Sequence, residues 1–172
     1  MSCSKIQPPD SLHLQATQGW LELGNHVEAS SELEKISPCK QRHPDVLNVR
    51  WEVCAAARNW EAALEIASAL IRLDAQDPLG WVHRSYALHE LKRTADARDN
   101  LLRVVEKFPD NATMRYNLAC YECRLGRLDQ AKAWLEKAFE IGDAKAMKIA
   151  ALDDPDLAPI WRTKSLWTST IL

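Results

Sequence analysis

Apolar side chains recur along this chain at a constant step of 34 positions. The clearest column consists of four alanines, Ala29, Ala63, Ala97 and Ala131. Three more columns are apolar at every position: Leu23, Ala57, Leu91 and Leu125; Leu33, Ala67, Leu101 and Leu135; and Ile36, Leu70, Val104 and Ala138. A fixed period of this length indicates that one supersecondary unit is repeated, and the pattern therefore predicts four repeats.

Each repeat contains two amphipathic helical segments joined by a short polar turn. We predict helix pairs at residues 10–23 and 26–37, 44–57 and 60–73, 78–91 and 94–107, and 112–125 and 128–141. Pro44 and Pro78 suit the first turn of a helix, where the missing N–H does no harm. Asp110-Asn111 offers a capping residue for the helix that follows it. Because one helix pair cannot bury its own apolar face, neighbouring pairs must stack.

The period ends after Gly142. Residues 144–152 predict a further helix, Asp153-Asp154-Pro155-Asp156 interrupts it, and residues 157–167 predict a last one. A terminal unit of this kind covers the exposed end of a stack of repeats. The predicted organisation is an N-terminal tail at 1–9, repeats at 10–43, 44–77, 78–111 and 112–143, and a C-terminal capping segment at 144–172.

These features resemble the tetratricopeptide repeat (TPR) family, whose period is also 34 residues. The matching residues are Trp81, Ala97 and Pro109 in the third repeat, and Leu118-Ala119, Gly126, Ala131 and Ala138 in the fourth. The resemblance covers about residues 10–143. It implies an all-α fold, a right-handed α-solenoid of about four helix-turn-helix repeats plus a C-terminal capping helix. The Ala-Leu-Asp-Asp-Pro-Asp-Leu stretch resembles the closing segment of many bacterial members, which indicates a bacterial source.

The resemblance also implies a binding surface, because the first helices of the pairs line a concave groove in this family. The groove positions that we predict to bind a peptide are Val82, His83, Tyr86, His89, Tyr116, Asn117, Cys120 and Arg124. Tyr and Arg are favoured anchors in binding sites, and an amide can serve a peptide backbone as both donor and acceptor. The alternative is that these residues only pack helix against helix.

The resulting functional expectation is a scaffold or adaptor that binds a protein or peptide partner in the groove. A dedicated secretion chaperone of TPR type for one client protein is the alternative. We predict no enzymatic activity, because no convergent acid, base and nucleophile can be found. A homodimer through the C-terminal segment is left open.

Composition narrows the expected classes of partner and the expected compartment. The 22 basic and 24 acidic residues give a net charge of −2, so no electrostatic footprint for nucleic acid is present. No apolar run approaches the roughly 18 residues of a membrane span. The N-terminus lacks the apolar stretch of a secretory signal. Five cysteines, an odd number, indicate reduced thiols, and we therefore expect a cytoplasmic protein.

Cys120 and Cys123 lie three residues apart, so both thiols could share one helix face, with His89 and His83 nearby in register. A structural zinc site normally needs four ligands, and a second CxxC is absent. We therefore expect buried or groove-lining thiols, no metal and no cofactor. His26 and His43 fall in predicted turns, and we expect both to be solvated.

Overall fold

The computed structural model describes residues 5–162, which form ten α-helices and no β-strand. The helices are α1 (Asp10–Glu22), α2 (His26–Leu33), α3 (Pro44–Ala56), α4 (Trp60–Leu73), α5 (Pro78–Glu90), α6 (Thr94–Leu102), α7 (Ala112–Arg124), α8 (Leu128–Ile141), α9 (Ala144–Asp153) and α10 (Ala158–Arg162). The all-α class predicted from the sequence is confirmed. The end of the predicted last helix, and with it residues 163–172 of the C-terminal segment considered for a homodimer, lies outside the described residues.

The turn inside each repeat has the same backbone geometry four times. The second residue after each first helix has a positive φ: 74° at Gly24, 56° at Arg58, 64° at Lys92 and 78° at Gly126. The next N–H then donates to the carbonyl five residues earlier at 2.8–2.9 Å. This is the hydrogen bond of a Schellman motif, which satisfies a carbonyl at the helix end. Because two of the four positions are not glycine, the repeat geometry rather than the residue type determines this turn.

Helix starts follow the predicted signals. Pro44 and Pro78 are the first residues of α3 and α5. The side chain of Asn111 caps α7 by accepting a hydrogen bond from the Met114 N–H at 2.9 Å. Asn25 caps α2 in the same way. These contacts satisfy N–H groups that have no partner within the helix.

The alanine column marks the places where paired helices meet. All four alanines are fully buried, and the columns that contain Leu101 and Val104 are buried as well. The column that begins at Leu23 differs, because Leu23 is the C-cap of α1 and is 76% exposed. An apolar residue at this position of the repeat therefore does not indicate a place in the core.

Two second helices end earlier than predicted. α2 ends at Leu33 and α6 ends at Leu102, whereas the pattern extended them to residues 37 and 107. After each of these two helices, the backbone forms hydrogen bonds between residues three apart, for example from the Val104 N–H to the Leu101 carbonyl at 3.0 Å. The β-branched pair Val104-Val105 lowers helix propensity at this point. The apolar pattern continues through the tighter turn because these valines remain buried.

His43 corrects one expectation. Its side chain is 8% exposed rather than solvated, and its Nδ1 accepts a hydrogen bond from the Asp45 N–H at 3.2 Å. The imidazole therefore caps α3, a role in which the ring nitrogen replaces the usual side-chain oxygen.

The chain divides into two compact units after Ala87. In the first unit, α1 packs against α2 and α3, and α3 packs against α4. Gly80 brings the start of α5 close to α4, because a Cβ there would lie 3.1 Å from Ile71 Cγ1. In the second unit, α7 packs against α6 and α8, and both α9 and α10 pack against α8. No helix of the described part is long and apolar enough to cross a membrane.

Candidate functional site

The predicted groove residues lie on two helices. Val82, His83, Tyr86 and His89 belong to α5, whereas Tyr116, Asn117, Cys120 and Arg124 belong to α7. The first three belong to the first unit and the other five to the second. Residues four apart on a helix share a face, so the α7 residues at 116, 120 and 124 form one row.

In the first unit, Tyr86 belongs to an aromatic cluster with Trp51, Trp60 and His83. The rings of Trp51 and His83 stack with centroids 3.7 Å apart and planes 9° apart. Tyr86 meets Trp51 edge-on at 6.1 Å and Trp60 at 5.7 Å. Both geometries are favourable for aromatic pairs. Tyr86 is 42% exposed, whereas Trp51 and His83 are 9% exposed, so the cluster presents one tyrosine from a buried base.

His83 is neutral at physiological pH. Burial lowers its pKa from 6.5 to about 4, because the charged imidazolium would lose its hydration. The neutral ring suits the stack on Trp51. Val82 directly precedes His83 in the sequence and is half-buried. The base under Tyr86 is thus uncharged, which makes it suited to apolar contacts.

In the second unit, the row on α7 contacts the chain's own turn between α9 and α10. This segment, Asp154-Pro155-Asp156, is called the acidic turn below. The Tyr116 hydroxyl donates to Asp154 Oδ2 at 3.0 Å, and the Cys120 thiol donates to the same oxygen at 3.5 Å. Asp154 Oδ1 also accepts from the Asp156 N–H at 2.9 Å, which fixes the shape of the turn.

The other carboxylate of the acidic turn is held by two more of the predicted residues. Asp156 Oδ2 lies 2.8 Å from His89 Nε2, and Asp156 Oδ1 lies 3.5 Å from Arg124 Nε. The other ring nitrogen of His89, Nδ1, lies 3.0 Å from the Thr94 hydroxyl. The His89 ring also packs against Tyr121, with centroids 4.9 Å apart. The imidazole is therefore oriented by three neighbours.

The charge states fit this arrangement of donors and acceptors. Burial raises the pKa of the Tyr116 phenol and of the Cys120 thiol above their ordinary values, and the charge of Asp154 adds to both shifts. Both groups therefore remain protonated and can donate. The hydrogen bond with His89 lowers the pKa of Asp156, with further help from the charges of His89 and Arg124. Asp156 is therefore a carboxylate at neutral pH.

The structure thus brings His89, Tyr116, Cys120 and Arg124 together around one intramolecular ligand. Asn117, the remaining predicted residue of α7, is half-buried. The sequence interpretation treated the acidic turn as a helix breaker within the closing segment and did not assign its carboxylates to the face of α7. The signal that could have identified the acidic turn was the row of donors on α7, which needed an acceptor.

The CxxC thiols lie inside the second unit. Both Cys120 and Cys123 are buried, and burial raises the pKa of the Cys123 thiol. No group of three or more His, Cys, Asp and Glu side chains within residues 5–162 is arranged to hold a metal ion.

Comparison with known proteins gives similarity at the level of the fold. Neither a protein-family model nor a curated protein matches the sequence. Among solved structures, the MamA RS-1 ArsTM double mutant is 17% identical, with a TM-score of 0.67 over 91% of this chain and 93% of that one. MamA 41-end from Desulfovibrio magneticus RS-1 is 16% identical, with a TM-score of 0.67 over 91% and 92%. MamA AMB-1 is 16% identical, with a TM-score of 0.60 over 76% of each chain. The chain therefore shares the TPR-like helical-repeat fold of these MamA structures.

Proposed function

We propose that this protein is an interaction adaptor, which binds a segment of a protein partner through the surface of the first unit centred on Tyr86. The observation that carries the proposal is the exposure of Tyr86 on a fixed aromatic base. Helical repeats supply extended surfaces for such contacts. The similarity in fold to MamA supports the architecture on which the surface is built.

Preorganisation is the physical reason for choosing this surface. A tyrosine offers a large apolar ring and a hydroxyl and loses little conformational entropy on binding. Here Trp51 and Trp60 already hold the ring from two sides, so still less entropy remains to be lost. Tyr116, the other predicted tyrosine anchor, is already used by Asp154 within the chain. Tyr86 is the stronger candidate for an intermolecular contact because it is 42% exposed, whereas Tyr116 is half-buried.

Tyr86→Ala is expected to weaken partner capture by about 2 kcal/mol or more, the usual effect of truncating a hot-spot residue. The tagged full-length chain and the variant are used in parallel affinity captures, and the bound proteins are quantified by mass spectrometry. Trp20→Ala is the matched control, because Trp20 is 36% exposed and lies on α1, outside the aromatic cluster.

Proteins lost with Tyr86→Ala but retained with Trp20→Ala are the partners of this surface. Several such proteins would indicate an adaptor, whereas a single stoichiometric client would indicate the chaperone role. Equal capture by the wild-type chain and Tyr86→Ala would remove the proposed surface from consideration.

A further inference from the structure

A basic cleft lies in the second unit beside the acidic turn. Its volume is about 400 Å³, and its walls are the α5–α6 turn, the first turn of α6 and the C-terminal end of α7. Three cationic residues line it: Lys92, Arg93 and Arg124. Asp96 is the one acidic residue in the lining. The protein as a whole is slightly acidic, so this clustering of positive charge is local.

Carboxylates of the chain neutralise only part of this charge. Arg93 pairs with Asp96 at 2.7 Å, and both side chains are 54% exposed. Arg124 contacts Asp156 at 3.5 Å and is 52% exposed. Lys92 has no carboxylate within ion-pair distance in the described part of the chain, although its charge helps to lower the pKa of Asp156. Exposed pairs of this kind are weak, so their cations stay available to another carboxylate.

The acidic turn shows which chemistry this surface accepts. Arg124 belongs both to the lining of the cleft and to the contact with Asp156. Thr94, another lining residue, orients the imidazole that holds the same carboxylate. The open cleft therefore continues a surface that already binds a carboxylate of its own chain.

We propose that the basic cleft binds an acidic segment of the protein partner. The inference rests on the proposed adaptor function and adds the chemical class of the segment, which is rich in aspartate or glutamate. Lys92 and Arg93 supply the attraction to this segment, and Arg124 links its binding site to the acidic turn. Charge complementarity at such exposed positions confers specificity and speeds association.

The probe is a fluorescent synthetic peptide that alternates glutamate with glycine, and its twin carries glutamine in place of glutamate. Binding to the full-length protein is followed by fluorescence anisotropy at low and high salt. Lys92→Gln combined with Arg93→Gln removes two cations from the cleft. The matched control, Arg103→Gln with Lys107→Gln, removes two exposed cations elsewhere in the same unit. Thermal unfolding verifies that both variants fold.

The glutamate peptide is expected to bind in preference to its glutamine twin, and the cleft variant is expected to lose about fivefold or more in affinity. The loss of peptide affinity in the control variant, taken as a logarithm, should be less than about half of the loss in the cleft variant. Added salt should weaken binding of the peptide because exposed charges are screened. Equal losses in the two variants, or absence of binding, would overturn the inference. Neither result would change the capture of partners through Tyr86. If Tyr86→Ala captures partners as well as the wild-type chain does, while the peptide still binds the cleft, only the proposed Tyr86 surface is refuted.

Discussion

Leu118→Ala is expected to destabilise the protein by about 2–5 kcal/mol, the range for removal of a large aliphatic side chain from a core. Leu118 is fully buried on α7, which packs against both α6 and α8. The substitution removes apolar contacts and leaves a cavity that packed helices can fill only in part. The free energy of unfolding is measured by urea denaturation of the full chain.

Leu152→Ala is the matched control, because it makes the same chemical change at a residue of α9 that is 55% exposed. Its effect should remain within about 0.5 kcal/mol, as is usual for surface sites. Similar losses of stability at the two positions would show that α7 is not buried as described.

Ala97→Leu is expected to cost about 1–3 kcal/mol through overpacking. Ala97 is fully buried on α6 and belongs to the alanine column, where small side chains let paired helices approach closely. A leucine there would force side chains out of their rotamers or move the helices apart. The midpoint of thermal unfolding should fall by roughly 2–4 °C for each kcal/mol in a chain of this size.

Ala95→Leu provides the comparison within the same helix. Ala95 lies two residues earlier on α6 and is exposed. Leucine is nearly as good a helix former as alanine, so the exposed substitution should leave the melting temperature almost unchanged. If the two variants melt together, the register of the repeat is incorrect.

The repeated parts of this fold were predictable because the same physical problem is solved four times. Every pair of helices needs a small residue where the helices cross and a left-handed residue where the chain turns. The alanine column answers the first need, and the positive φ at Gly24, Arg58, Lys92 and Gly126 answers the second. The spacing of the alanines can be recognised from the sequence alone, whereas the positive φ cannot, because Arg58 and Lys92 are not glycine.

The parts that occur only once were less predictable. The tightening of α6 near Val104 depends on bonds between residues three apart, which an apolar pattern does not distinguish from a helix. The cap formed by His43 depends on the orientation of its ring. In each case, local hydrogen bonds decide the outcome, and they leave little trace in the pattern of apolar positions.

The candidate site shows the same division. The predicted donors on α7 do lie on one face, since helical spacing determines that much. Their ligand could not be inferred from spacing, because Asp154 follows Tyr116 by 38 residues and reaches it only after α8 and α9 have folded back. The closing segment of the repeats therefore has two roles in the second unit: it packs on α8 and supplies the carboxylates that occupy the face of α7.

The proposed function requires that the exposed part of Tyr86 in the first unit contacts a partner, whereas Tyr116 in the second unit contacts Asp154 of its own chain. The most direct test places the photo-crosslinking amino acid p-benzoylphenylalanine at position 86 or at position 116 of the full-length chain in the cells that make it. Irradiation from position 86 should give adducts with another protein, and irradiation from position 116 should give internal crosslinks to the region of Asp154 and Asp156. Adducts with another protein from position 116, with none from position 86, would contradict the account.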